Sequence, residues 1–493
     1  MLPPTPTLFE YIFACYTLTS TPLLLRSSMI NLMLFAFILY FSLLINIGIY
    51  FYNKNKKQSD FSLANRSLNY WVTAISAQAS DMSDWLFMAY PGAVFAIGIS
   101  QVWIAIGLCF FMFLTWHFIA PKIRVETEKY NALTLSTFFE KKFNDSTHNI
   151  RIISGIFCLY FFIFYIAAGL VGLGKVFELA FEIDYSTGII LGLSLSVVYT
   201  LLGGLLAIAW SDFFQGMFLL GCIILVPWYA TNSLGGFEHL YDSLQIFSSQ
   251  YRSVWPAEGV VATIFAILSW GIGYFGQPHI LINFMGINNP KDLAKSKVVG
   301  SSWQIIALIS AIFVGLVGKV MLFGTIADPE LVFIVMVKQL FSPFIAGFIL
   351  CAILAATIST MNTQALISSS LITQDLLFPV IKTKLTEQQK VMYTRLATLI
   401  IPALSLIVAY QSRVSILKLV LYAWSGLGSC FGPIVILSLY STILNRYGVL
   451  AGLLSGGATA MIWPFIPSSI PTLVAGFLIN GTIATIVSKK TNT

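Results

Sequence analysis

The sequence predicts an all-α integral membrane protein with about thirteen transmembrane helices. Three observations carry that reading. Hydrophobic residues make up 57% of the 493 and charged residues only 10%, where soluble domains carry roughly 25% charged residues. Apolar runs recur at the roughly 20-residue length that a helix needs to cross a bilayer. Mean hydropathy is +0.85, and aromatic content is 15%, led by 40 Phe, which suits lipid-facing helices.

Taken in order, the apolar runs place spans at about 29–52, 70–90, 101–120, 150–175, 186–206, 212–231, 261–284, 300–323, 341–372, 391–410, 415–440, 446–465 and 468–487. The ninth is long enough to tilt or to continue past the bilayer. Residues 1–28 form a leader whose apolar stretch, Leu8 to Leu25, is broken by Pro22. It lacks the basic start and small-residue cleavage site of a signal peptide. It reads either as a weak signal-like segment or as sequence upstream of a true start at Met29.

Loop charges orient the bundle through the excess of Lys and Arg on the cytoplasmic side. One side collects Lys54, Lys56, Lys57, Arg66, Lys122, Arg124, Lys129, Lys141, Lys142, Arg151, Lys291, Lys295 and Lys297, then Lys382, Lys384, Lys390, Arg395, Arg446, Lys489 and Lys490. The other side carries acids such as Glu178, Glu182 and Asp184. An odd span count then puts the N-terminus outside and the C-terminus in the cytoplasm. The net charge of +7 is dispersed over loops, which argues for topology and against nucleic-acid binding.

Enzyme machinery is not visible. The six cysteines (Cys15, Cys109, Cys158, Cys222, Cys351, Cys430) sit in apolar runs, and the four histidines (His117, His148, His239, His279) are too scattered for a zinc site. There is no nucleophile elbow, phosphate-binding loop or dinucleotide fingerprint. No cofactor is expected.

The informative segments are two polar stretches inside hydrocarbon-length runs: SAQASDMSDW (76–85), with Asp81 and Asp84, and ILAATISTMNTQ (353–364). A carboxylate at bilayer depth costs at least a few kcal/mol and persists only where it faces a cavity or a cation. The second span should break around 80–84. The seventh should unwind where Gly271, Gly273, Gly276 and Pro278 crowd two turns, since glycine weakens a helix by about 1 kcal/mol and proline by about 3. If the second span opens one five-helix unit (about 70–231), the seventh opens the next (about 261–440). An odd number of spans per unit makes the repeats inverted, the pattern of a secondary transporter with its site at the breaks. The core then covers 53–440, the first helix lies outside it, and 441–493 adds two helices and a tail. Unwound carbonyls together with the hydroxyls of Ser359 and Thr360 offer the all-oxygen ligands that a hard cation takes. Membrane-helix hydroxyls also bond back to their own turn, but Ser359, Thr360, Asn362, Thr363 and Gln364 form a cluster.

Six strings, in order, resemble the sodium:solute symporter family, and within it the bacterial sodium/proline symporters: ANRSLNYWVTAISAQASDMSDW (64–85), YPGAVFAIGIS (90–100), KYNALTLSTFF (129–139), SWGIGYFGQPHI (269–280), ILAATIST (353–360) and YAWSGLGSCFGP (422–433). The likeness runs from about 29 to 487. It implies a leucine-transporter-type core of two inverted five-helix repeats in a bacterial plasma membrane, with sodium as coupling ion and L-proline as first-choice substrate. The chain is read as a monomer.

Carried over by position, the resemblance implies a sodium site of the Ala79, Met82 and Ala356 carbonyls with the Ser359 and Thr360 hydroxyls, and with Asp81 tuning or attracting the ion. It implies a substrate pocket with Ser83, Tyr165, Trp270, Tyr274 and Pro278. Tyr165 also reads as packing within its aromatic run. Arg66 matches a functionally sensitive arginine of the family and reads equally as an inward-facing charge. Asp212 matches an acid of less defined role. Asp84 stands where the family often has glycine, adding bulk and charge beside the expected pocket. Another amino acid, pantothenate or a sugar are the alternative cargoes. A transporter-like sensor is the alternative of another class, and it calls for an appended signalling domain.

Overall fold

The architecture, taken from a computed structural model, is described for residues 23–52, 58–379, 381, 385–411 and 414–491. Most of the expected leader, and Lys54, Lys56, Lys57, Lys382 and Lys384 of the expected cytoplasmic charges, lie outside those residues. The described chain is helical nearly throughout, and its only extended pairing is a single parallel bridge between Leu68 and Ile287.

In order, the helices that matter for the site are α1 (Leu23–Tyr52), α2 (Tyr70–Met82), α3 (Tyr90–Ile97), α4 (Val102–Leu114), α5 (Ala120–Lys129), α6 (Leu135–Lys142), α7 (Asn149–Phe181), α8 (Tyr185–Ser233), α9 (Val260–Gly271), α10 (Pro278–Gly286), α11 (Leu293–Leu322), α12 (Val332–Leu340) and α13 (Pro343–Ser370). They are followed by α14 (Glu387–Ala397), α15 (Ile400–Gln411), α16 (Ile416–Tyr440), α17 (Arg446–Ile462) and α18 (Thr472–Thr491). Each of the thirteen expected segments is helical over most of its length. By length and apolarity, nine helices among the described residues can cross a membrane alone, and ten if one bent pair counts as a single span. The three segments below that threshold are Met29–Leu43, Trp85–Ile97 and Tyr185–Val198.

Both expected breaks are present. Asn69 starts α2 by accepting a hydrogen bond from the Val72 amide, and α2 ends where Ser83 takes φ +32°, a left-handed conformation uncommon outside glycine. A wider, π-helical turn (Trp85–Ala89) then leads into α3. In the seventh span, α9 runs into a 3₁₀ turn (Ile272–Gly276), and the path bends by 46° before Pro278 starts α10. Gly273 permits this: a Cβ there would lie 2.2 Å from the Trp424 indole nitrogen.

The fifth and sixth expected spans are joined without a loop. They form the single element α8, turned at Gly204 (φ +60°), against which Phe61 packs too closely for any side chain.

Helix α13 is the axis of the bundle. Nearly every residue from Ala346 to Ser370 is buried, so it is enclosed on all faces by α1, α2, α7 and α8. A π-helical stretch (Leu371–Leu377) prolongs it.

At the end of the bundle bearing Arg66, the two broken spans are tied together. Leu68 N–H donates to Gly286 O (3.1 Å), and Asn288 N–H donates to Leu68 O (2.8 Å). Arg66 donates to Met285 O (2.7 Å), Ala132 O (3.1 Å) and Thr127 Oγ1 (3.3 Å). Arg124 donates to Ile287 O (2.7 Å) and Asn288 O (3.2 Å). The last carbonyls of a helix lack intrahelical donors; here Arg66 supplies one for α10, and Arg124 holds the two residues that follow it.

Candidate functional site

The end of α2 meets the middle of α13. The Thr360 hydroxyl lies 3.2 Å from Ala356 O on its own helix and 3.4 Å from Ala79 O across the interface. The first contact is the usual back-bond of a threonine in a membrane helix. The second joins the expected helix-nine hydroxyl to the expected helix-two carbonyl. Because the helix breaks at Ser83, the carbonyls of the last α2 turn, Met82 included, have no helical amide to pair with. Ala79, Met82, Ala356, Ser359 and Thr360 are all buried.

Ser359 looks elsewhere. Its hydroxyl donates to Asp212 Oδ1 (2.7 Å), while Ser76 Oγ lies 2.9 Å from Asp212 Oδ2 and 2.9 Å from Asn283 Oδ1. Asn283 reaches on to Ser80 Oγ at 3.3 Å. Asp212, whose role the sequence left open, is thus a fully buried carboxylate held between α2 and α13. Among the described residues no three His, Cys, Asp or Glu side chains cluster as transition-metal ligands. What this region offers is carbonyl and hydroxyl oxygen.

Asp81 faces a different neighbour. Its Oδ2 accepts from the Tyr274 hydroxyl (2.6 Å), which accepts in turn from Gln304 Nε2 (2.8 Å). Asp81 and Tyr274 line a cavity together with Met82, Trp85, Leu108, Tyr165, Trp270, Val420 and Trp424. Its aromatic walls are fixed in place. The Trp424 indole donates to Trp270 O (2.9 Å), and Gln277 Nε2 donates to Trp424 O (3.1 Å).

Of the six expected pocket residues, Tyr165, Trp270 and Tyr274 line this cavity. Pro278 lines a second cavity with Thr134, Cys158, Ile282, Ser370 and Phe431. Tyr165 sits near the boundary, its ring edge-on to His279 at 5.3 Å. Ser83 turns inward on the break, accepting from the Trp85 amide (3.2 Å). Asp84 is fully buried but lies off both cavities, pressed against Gly172 of α7, and neither carboxylate oxygen accepts a hydrogen bond.

Arg66 is half-buried rather than a free surface charge. Burial, then the neighbouring Arg124, lower its pKa to about 10, so it stays charged at neutral pH. Near the start of α16 a second ionic knot appears. Lys175 of α7 pairs with Asp328 (2.8 Å) and Glu330 (2.6 Å), and Glu330 also accepts from Ser415 Oγ, Ile416 N–H and Leu417 N–H, capping α16.

Sequence reasoning passed over Trp85, Trp424, Lys175 and Glu330. Both tryptophans stood inside recognised strings, and a lysine embedded in an apolar span was itself a signal that a partner acid waits nearby.

The chain is 37% identical over 458 residues to the osmoregulated proline transporter OpuE of Bacillus subtilis (strain 168), covering 90% of this chain and 93% of that one. It is 38% identical over 442 residues to the high-affinity proline transporter PutP of the same organism, covering 88% and 93%. Its fold is that of a solved Na⁺-coupled sialic acid symporter, with TM-score 0.80 at 18% identity, over 93% of this chain and 98% of that one. This is a leucine-transporter-type architecture and a transporter, not an enzyme. Residues 61–456 match the sodium:solute symporter family, and the chain belongs to it.

Proposed function

We propose that this protein imports L-proline, drawn inward by sodium. The observation that carries the reading is the meeting of Thr360 with the Ala79 carbonyl at the broken end of α2, one turn from a cavity walled by Trp270, Trp424, Tyr165 and Tyr274. Sodium binds the carbonyls of Ala79, Met82 and Ala356 with the Thr360 hydroxyl, and Ser359 joins when it leaves Asp212. Proline offers a carboxylate, a secondary amine and an apolar ring, and an aromatic-walled cavity suits that ring and cationic amine. The identity to two named proline transporters supports the same cargo.

Asp81 links the two sites. It belongs to the last turn of α2, beside the sodium carbonyls, and it holds Tyr274 in the cavity wall. Sodium that steadies this turn also orders the pocket, so each ligand tightens the other. With both bound, the first-repeat bundle rocks to the inward-facing state. Each inward sodium gains about 2.3 kcal/mol per 100 mV, enough to hold a proline gradient of tens-fold before the sodium gradient is counted.

The same reading takes the chain as a monomer of thirteen spans in a bacterial plasma membrane, N-terminus outside and C-terminus cytoplasmic. Its inverted repeats are 70–231 and 261–440. Arg66 secures the cytoplasmic end, and Asp212 holds Ser359 beside the cage. Uptake of radiolabelled proline into vesicles under an imposed sodium gradient, competed by a panel of amino acids, pantothenate and sugars, tests it. Proline uptake should collapse when potassium replaces sodium, and unlabelled proline should compete best. Uptake indifferent to sodium, or a stronger competitor, overturns the corresponding half of the proposal.

A further inference from the structure

We infer that Lys297 and His117 form a headgroup site for an anionic phospholipid, at the end of the apolar surface shared by α4 and α11. The two basic groups face each other, with Lys297 Nζ 3.2 Å from His117 Nδ1. An ammonium can only donate, so Nδ1 accepts and the ring proton sits on Nε2, which is a further donor. Among the described residues neither side chain has an acidic partner. The acids on α5 and at the start of α11 are taken elsewhere: Glu126 pairs with Lys142 (2.6 Å), Glu128 with Arg124 (2.6 Å) and Asp292 with Lys295 (2.9 Å).

Positive charge alone is ordinary at one end of a membrane protein. This pair is set apart by what surrounds it. Lys297 Nζ lies 5.0 Å from the centroid of the Phe113 ring, which stacks parallel to His117 (6.2 Å, planes within 5°). A π-helical turn (Thr115–Ile119) joins α4 to α5 here, burying Trp116 and leaving His117 and Phe118 exposed.

The apolar surface continues away from the pair. Ile106, Phe110, Phe113 and His117 share one helical face, and all four are exposed. On the neighbouring α11, Val298, Ile305 and Ile309 likewise share an exposed face, beginning beside Lys297. Acyl chains cover the two apolar ridges, and the phosphodiester takes the ammonium and the Nε2–H at their end. A free phosphate would use the donors and leave the ridges unused. Basic groups between spans, bordering apolar surface, are the setting in which anionic headgroups bind.

Native mass spectrometry of the purified full-length protein tests this. Dioleoyl-phosphatidylglycerol is titrated against dioleoyl-phosphatidylcholine, which has the same chains and no net charge. Wild type should bind the anionic lipid at least about five-fold more tightly, as for one lysine at a membrane surface. Lys297→Gln should remove most of that preference and leave phosphatidylcholine affinity within about two-fold. His117→Leu should weaken phosphatidylglycerol about three-fold, for one lost neutral donor. Lys129→Gln removes a charge at the far end of α5 and should change neither lipid. Equal affinity of wild type for the two lipids, an equal loss in K129Q, or unchanged phosphatidylglycerol affinity in K297Q overturns the inference. Inorganic phosphate that displaces the lipid assigns the site to a free anion and overturns it too. Should K297Q fail to fold, His117→Leu carries the same comparison, and unchanged phosphatidylglycerol affinity there is the overturning result.

Discussion

Asp84 occupies the space that a side chain on residue 172 would need: a Cβ built on Gly172 would fall 1.9 Å from Asp84 Oδ2 and 2.8 Å from its Cγ. A side chain at position 172 and the Asp84 carboxylate exclude one another in this packing. The pair locks α7 against the break that ends α2.

Gly172→Ala should therefore destabilise the protein by about 1–3 kcal/mol, the usual cost of overpacking a tight interior. Adding Asp84→Gly should recover most of the loss, because the obstructing carboxylate is gone. Thermal unfolding of the purified single and double variants measures this. Losses that simply add would show that the contact is not the cause.

Thr360→Ala removes the one hydroxyl aimed at the Ala79 carbonyl. We expect the sodium concentration for half-maximal uptake to rise about ten-fold, as for the loss of a bond to a charged ligand. Asp81→Asn should raise it too, and should also weaken proline through Tyr274. Uptake by both variants with wild-type sodium dependence would end the assignment of the cage.

Ser359→Ala and Asp212→Asn act on one hydrogen bond of 2.7 Å, so their effects on sodium affinity should not add. The double variant should resemble the worse single one. Fully additive effects would mean that the two side chains serve different sites.

Arg66→Lys preserves charge and loses the fork that reaches Met285 O, Ala132 O and Thr127 Oγ1 together. A loss of about 1.5–3 kcal/mol in unfolding free energy is expected. Unchanged thermal stability would assign Arg66 to topology alone.

Lys175→Met leaves Asp328 and Glu330 without their shared cation. The cost should be about 1–3 kcal/mol, below that of a fully buried pair because Asp328 keeps contact with solvent. Adding Asp328→Asn should return part of it, read as recovered melting temperature.

The breaks in the second and seventh spans were legible because their causes are local: polar residues at 80–84 and glycine with proline at 271–278 cannot propagate an apolar helix. Burial of α13 on all sides was less so, since a run such as ILAATISTMNTQ looks alike whether it faces lipid or protein. The joining of the fifth and sixth spans at Gly204 depends on Phe61 approaching from more than a hundred residues away. The direction of each polar side chain was beyond reach. Ser359 and Thr360 are sequence neighbours and so point about 100° apart on a helix, which is why one meets Asp212 and the other Ala79. Likewise Asp81 and Asp84, three residues apart, would share a helical face. The left-handed Ser83 between them sends one to the cavity and the other to α7.

The stitching of Leu68 to Gly286 and Asn288, with guanidinium groups closing over the same chain segment, makes the neighbouring tips of both split helices a single lever. A movement of one tip that keeps these bonds carries the other with it.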